Sequence, residues 1–187
     1  MAEPYKPKRK RFIPPKPTYS EKRDDQYAVF GVGMNHERLV GRVVIEWSRL
    51  ESVLNDLIWC FLNVTFEDGR ALTGRADAIT KITLLRVIAP RHLSNEEKLE
   101  ALLLVLDAID ASRDDRNFIV HGTWGRLAPE GIPLAASLRV KSKPDEVIGE
   151  TFPPKRMRDI IENIVNMRKM LVLLLDELYA SPDTLLK

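Results

Sequence analysis

Residues 36–62 read HERLVGRVVIEWSRLESVLNDLIWCFL, and this stretch decides the fold class. Val43, Trp47, Leu50, Leu54, Leu57 and Phe61 recur at alternating intervals of four and three. An α-helix turns about 100° per residue, so this rhythm stacks the six side chains along one narrow face. The spacing predicts a helix of about 27 residues. Glu46 sits beside that seam, one turn before Leu50. Two readings are open for it: an ion pair with a basic neighbour at the core edge, or a carboxylate that orients an arginine of a functional site.

The same rhythm recurs downstream. A second helical region is expected over about 67–88, divided at Gly69 and Gly74 and ended by Pro90. Ser94-Asn95-Glu96-Glu97 has the form of a capping box and places the next helix start at Ser94. Its apolar line is Leu99, Leu102, Leu106 and Ile109, and the same spacing then lands on Arg113, Arg116 and Val120. Pro153 and Pro154 suit the first turn of a last helix whose seam is Ile160, Ile164, Met167, Leu171, Leu174 and Leu178. Between them, residues 122–150 are punctuated by Gly125, Pro129, Gly131 and Pro133. Leu138 and Val140 there alternate with Ser137, Arg139 and Lys141, the pattern of a small β-hairpin or irregular flap. The expected fold is all-α: a four- to five-helix up-and-down bundle with a β-hairpin insertion before the last helix. Val44, Ile58, Leu103, Ile161 and Leu175 lie off the seams and leave surface that a second copy could cover.

Of 187 residues, 44% are hydrophobic and 30% charged, the balance of a globular domain rather than a membrane or disordered chain. No apolar run approaches the roughly 20 residues that span a bilayer, and the first residues lack the apolar core of a secretory signal. A cytoplasmic location is the default expectation. The single cysteine, Cys60, lies in an apolar run and reads as a core thiol. His36 and His92 have no second ligand at helical spacing, so neither a metal nor another cofactor is expected.

The net charge of +2 is unevenly spread. Residues 1–23 carry eight Lys or Arg side chains against Glu3 and Glu21, a net +6 that leaves −4 for the rest. Residues 1–25 also hold Pro4, Pro7, Pro14, Pro15 and Pro17 and no apolar face, so they read as an arm ahead of the domain over 26–187. Lys8, Arg9, Lys10 and Arg11 could meet phosphates through counterion release; the other reading is a solubilising or partner-ordered tail.

The stretch Arg113 to Gly125 (RDDRNFIVHGTWG) breaks the apolar pattern. Polar groups at core-directed positions cost free energy unless paired or used. Asp107, Asp110, Asp114, Asn117 and His121 form a polar stripe at intervals of three and four, either a solvated face or part of a site. Arg116 lies about 140° from His121 on an ideal helix. The expectation is therefore that the helix unwinds before Gly122, or that two copies complete one site across a two-fold axis.

Arg116-Asn117-Phe118-Ile119-Val120-His121-Gly122 resembles the signature of the HEPN superfamily, an arginine followed by a polar residue and then a histidine late in a helical bundle. The resemblance implies a homodimeric, metal-independent endoribonuclease. In it His121 transfers the proton of an RNA 2′-hydroxyl, Arg116 holds the phosphate, and Asn117 orients the imidazole or a phosphate oxygen. Arg113, Asp114 and Glu46 would support the site. A toxin or phage-defence effector with a cognate antitoxin or regulatory protein is the biological setting so implied. Some toxin members carry a tyrosine two residues after the histidine, where a partner nucleotidylates it. Thr123 stands there in this chain, so that control is not implied. Many members act without catalysis, which keeps two alternatives: a non-catalytic module binding RNA, a nucleotide or a protein, and a plain helical dimerisation domain.

Overall fold

The structure, a computed structural model, describes residues 34–127, 134–140 and 147–180. It holds five helices: α1 (Met34–Leu62), α2 (Phe66–Thr73), α3 (Ala78–His92), α4 (Glu96–His121) and α5 (Pro154–Ala180). Three strands, β1 (Thr123–Leu127), β2 (Leu134–Val140) and β3 (Val147–Thr151), separate α4 from α5. The basic arm, including Lys8, Arg9, Lys10 and Arg11, lies outside the described residues.

By packing, the described residues fall into two compact units, one built from 34–41 and 115–159 and the other from 42–114 and 160–180. The second is the helical bundle. All six seam residues of α1 are buried there, Leu50, Leu54 and Leu57 completely. Each such side chain contributes about 1.5–3 kcal/mol on leaving water. Opposite them lie Ile82 and Leu85 of α3, Leu102, Leu106 and Ile109 of α4, and Ile164 and Leu171 of α5, all buried. Lys81 pairs with Glu51, and the His92 ring stacks on Phe61, so α1 and α3 run in the same direction. Asp107 and Asp110 of α4 meet Arg86 of α3, and Lys98 of α4 meets Glu177 of α5.

Local chemistry explains the helix ends. α1 stops where Asn63 takes a left-handed φ of 50°. Its N–H bonds Cys60 O and the N–H of Val64 bonds Trp59 O, a Schellman cap. Thr65 caps α2 through the N–H of Asp68, and Asp77 caps α3 through Thr80. The Thr80 hydroxyl, with its N–H behind it, also holds the Asp77 carboxyl below its ordinary range.

Four sequence expectations change. Pro90 does not end α3, which runs on to His92: Pro90 lies in the last turn, and the Leu93 N–H still closes on Ala89 O. Asn95, not Ser94, caps α4, because its Oδ1 accepts the N–H of Lys98 at 3.0 Å. Ile58 and Leu175 belong to the core rather than to spare surface, while Val44 is exposed and Leu174 only half-buried. Gly69 does not break α2. A Cβ at that position would lie 2.6 Å from the Trp59 ring, so glycine is there to let α2 approach the indole, whose Nε1–H donates to Thr73.

The unit around the strands is a three-stranded antiparallel meander, order β1-β2-β3, with Thr123 opposite Leu138 and Val140 opposite Val147. The expected hairpin is its β1–β2 half, extended by β3.

Glycine inside a helix normally costs about 1 kcal/mol relative to alanine. Gly41, with nothing within 4 Å of an added Cβ, should obey that rule, and Gly41→Ala should raise the denaturation midpoint. Gly69→Ala should instead cost about 1–3 kcal/mol through overpacking on Trp59. Stabilisation by both substitutions in urea titrations would contradict the packing of α2 on Trp59.

Candidate functional site

The apolar line of α4 does not carry through the polar stretch as its spacing suggests. Phe118 and Ile119 are buried and Val120 only half-buried. Within the unit of 34–41 and 115–159 these residues meet an aromatic cluster. Phe152, fully buried, lies 6.4 Å from the Phe118 ring and 5.8 Å from the Trp124 ring. The Trp124 Nε1–H donates to Ile119 O at 2.8 Å and so satisfies one of the carbonyls left open at the end of α4. His36, on the first turn of α1, places Nε2 3.2 Å from Phe152 O and its ring 6.4 Å from that of Trp124.

On this platform the end of α4 presents Arg116, Asn117 and His121. The Arg116 Nη1 lies 2.9 Å from His121 Nε2 and donates to Asn117 Oδ1 at 3.0 Å. A guanidinium can only donate, so Nε2 is the acceptor in this contact. The helix is intact to its end: the Gly122 N–H closes on Phe118 O at 3.1 Å. This overturns the expectation that the two residues need a helix break or a second copy to meet. The 140° angle describes where the Cβ atoms point, and the long arginine side chain curls around the helix end to reach the imidazole. Asn117 orients the guanidinium rather than the imidazole.

The surrounding charges are arranged by a residue the sequence pattern did not single out. Arg156, two residues into α5, donates to Asp115 at 2.7 Å and to the buried Glu150 of β3 at 2.8 Å. It also bonds Thr151 O and covers the Phe152 ring at 4.3 Å. Asp115 is thus compensated by Arg156. Its separation of 41 residues from Asp115 leaves no periodic trace; the one available signal was the Pro153–Pro154 helix start, which puts Arg156 in a first turn.

The remaining candidates are placed elsewhere. Arg113 is held by Asp110 at 2.5 Å, and Asp114 is exposed. Glu46 is fully buried in the helical unit and is met by Arg42 at 3.0 Å, Arg49 at 2.9 Å and Arg168 at 3.5 Å. These contacts match the ion-pair reading of Glu46, although the pairing reaches α5 as well as its own helix. Among the described residues no three His, Cys, Asp or Glu side chains converge as metal ligands, and no helix is long and apolar enough to cross a membrane.

No protein-family model, curated protein or solved structure matches this chain.

What this arrangement offers is a donor-only cation, an amide and an imidazole within hydrogen-bond reach of one another at an exposed helix end. The Nε2 lone pair becomes a proton acceptor once Arg116 turns to an anion. The tautomer is measurable. Nitrogen-15 NMR of His121 at neutral ring charge should show the Nδ1–H form. Arg116→Ala should move the equilibrium toward the Nε2–H form that an unconstrained histidine side chain favours, and both results should hold on dilution. A spectrum unchanged by Arg116→Ala would remove the contact.

Proposed function

We propose that the chain is a metal-independent endoribonuclease of the HEPN type, with Arg116, Asn117 and His121 as its centre. The observation that carries this reading is the contact of Arg116 with both Asn117 and His121 at about 3 Å within one chain. RNA brings its own nucleophile, the 2′-hydroxyl, so the reaction needs a base and a charge clamp but no metal-activated water. Neutral Nε2 of His121 takes the 2′-hydroxyl proton as the oxygen attacks phosphorus. Arg116 leaves the imidazole for the non-bridging oxygens and stabilises the charge that grows on them, with Asn117 setting the orientation of its fork. The bond to the 5′-oxygen breaks and that oxygen takes a proton from water, giving a 2′,3′-cyclic phosphate and a 5′-hydroxyl end, while the His121 imidazolium returns its proton to solvent.

A homodimer belongs to the same proposal. Exposed Leu104, Met170 and Leu173 offer apolar surface for it. The activity also implies a restraining partner, an antitoxin or regulatory protein, of the kind a toxin or phage-defence effector requires. The cytoplasm, where RNA is available, is the compartment this reading assigns.

Single-stranded RNA incubated with the protein in EDTA should be cut to cyclic-phosphate ends. His121→Ala and Arg116→Ala should each slow cleavage by about 10²-fold or more. Cleavage that survives His121→Ala would eliminate the mechanism, and an inert wild type would favour a non-catalytic binding module.

The basic arm is proposed to hold RNA by its phosphates. Deleting residues 1–23 should weaken RNA affinity and flatten its dependence on salt by about 0.7 per lost phosphate contact. An unchanged slope would exclude the arm from binding.

A further inference from the structure

At the far end of α1, in the helical unit, Asp56, Trp59, Cys60, Phe66, Leu178 and Tyr179 line a cavity of about 380 Å³. We propose that this cavity binds an organic cation carrying an alkylated ammonium group, with Asp56 as its counter-ion and the three aromatic rings as its walls.

The wall chemistry selects the ligand. Three aromatic side chains come from three helices: Trp59 from α1, Phe66 from the start of α2 and Tyr179 from the end of α5. Phe66 and Tyr179 are 60% and 66% exposed, although aromatic side chains of this size usually find cover. Trp59 meets Phe66 edge-on, with centroids 5.5 Å apart and planes at 90°, so the two rings form a corner rather than a stack. Ring faces attract cations through their quadrupole. Phe66 already shows this behaviour, with the Arg70 guanidinium 5.6 Å from its centroid.

Asp56 supplies the charge. Among the described residues its carboxylate has no hydrogen bond and no ion pair, and partial burial pushes its pKa up. Burial also raises the Cys60 thiol, and burial followed by the charges of Cys60 and Asp56 raises the Tyr179 phenol. Both stay neutral, so at neutral pH the ionised group of the wall is a single carboxylate. A cation entering here supplies the ion pair that Asp56 lacks among the described residues.

The same wall disfavours a primary ammonium. Such a group has three strong donors to satisfy. The Trp59 Nε1–H is spent on Thr73, and beyond the side-chain oxygens of Asp56, Asn63 and Tyr179 the lining side chains offer ring, thiol and aliphatic surface. An alkylated ammonium is weakly hydrated and makes its contacts through methyl groups, which rings and Leu178 accommodate.

The full-length protein should be titrated with choline and with 3,3-dimethyl-1-butanol, its neutral carbon isostere, following backbone and indole amides by NMR. Choline should saturate, shift the Trp59 indole signal and bind about tenfold or more tighter than the isostere. Asp56→Asn should weaken choline by about tenfold without weakening the isostere. Phe66→Ala and Tyr179→Ala, at exposed positions, should weaken choline while leaving the melting temperature near wild type. A trimethyllysine peptide distinguishes the source: tighter binding than choline identifies a protein-borne group, and equal binding a free small molecule.

Asp56→Asn also has a readout without ligand. Burial raises the folded-state pKa above the unfolded value, so the carboxylate costs stability at neutral pH. That cost vanishes as pH falls below the ordinary value of 3.8, where both states hold the proton. The variant should therefore be more stable than wild type at pH 7 and equal to it in acid. Equal affinity for choline and its isostere, choline binding unaffected by Asp56→Asn, shifts that map away from Trp59, or no saturable binding would each overturn the proposal.

Discussion

A carboxylate with no access to water has to be met by cations, and Glu46 imposes that constraint on the helical unit. It lies on the buried side of α1 with none of its surface exposed. Leaving such a charge unpaired would cost several kcal/mol. Arg42 and Arg49 come from its own helix at the i−4 and i+3 positions, where helical geometry delivers neighbours without further organisation. Arg168 comes from α5. The apolar seams supply most of the burial, and the Arg168–Glu46 ion pair adds a charged tie between α1 and α5 within the helical unit.

The unit around the strands repeats this logic with one arginine serving two acids. Arg156 joins Asp115 near the end of α4 to Glu150 of β3 and lies over Phe152. The Trp124 indole adds a bond to the end of α4. These contacts hold the helix end and the start of the sheet against each other. The result is a well-supported platform for Arg116, Asn117 and His121.

The Arg116–His121 contact changes how the short motif is to be understood. Five residues along a helix place two Cβ atoms on different sides, and that fact alone favours a site shared between copies. At a helix terminus, however, the polypeptide no longer blocks the path around the axis, and a guanidinium on a long aliphatic stem can cross it. The motif is then a self-contained pair within one chain.

The sequence by itself determined the elements. The four-and-three rhythm of α1 and α5, the proline start of α5 and the Gly/Pro-punctuated insertion were all legible, because periodicity and turn chemistry are local. Capping was legible to within a residue: Ser94 and Asn95 are both good caps, and which of them faces the Lys98 N–H is settled by the path of the preceding chain. Glycine was misread at Gly69, since its purpose there is contact with Trp59, ten residues away. Tertiary structure alone decided which charges meet. Arg156 with Asp115, Arg168 with Glu46, and Asp56 beside Tyr179 join positions 41, 122 and 123 residues apart. Electrostatic partnership depends on distance in space, and no local pattern along a chain encodes it.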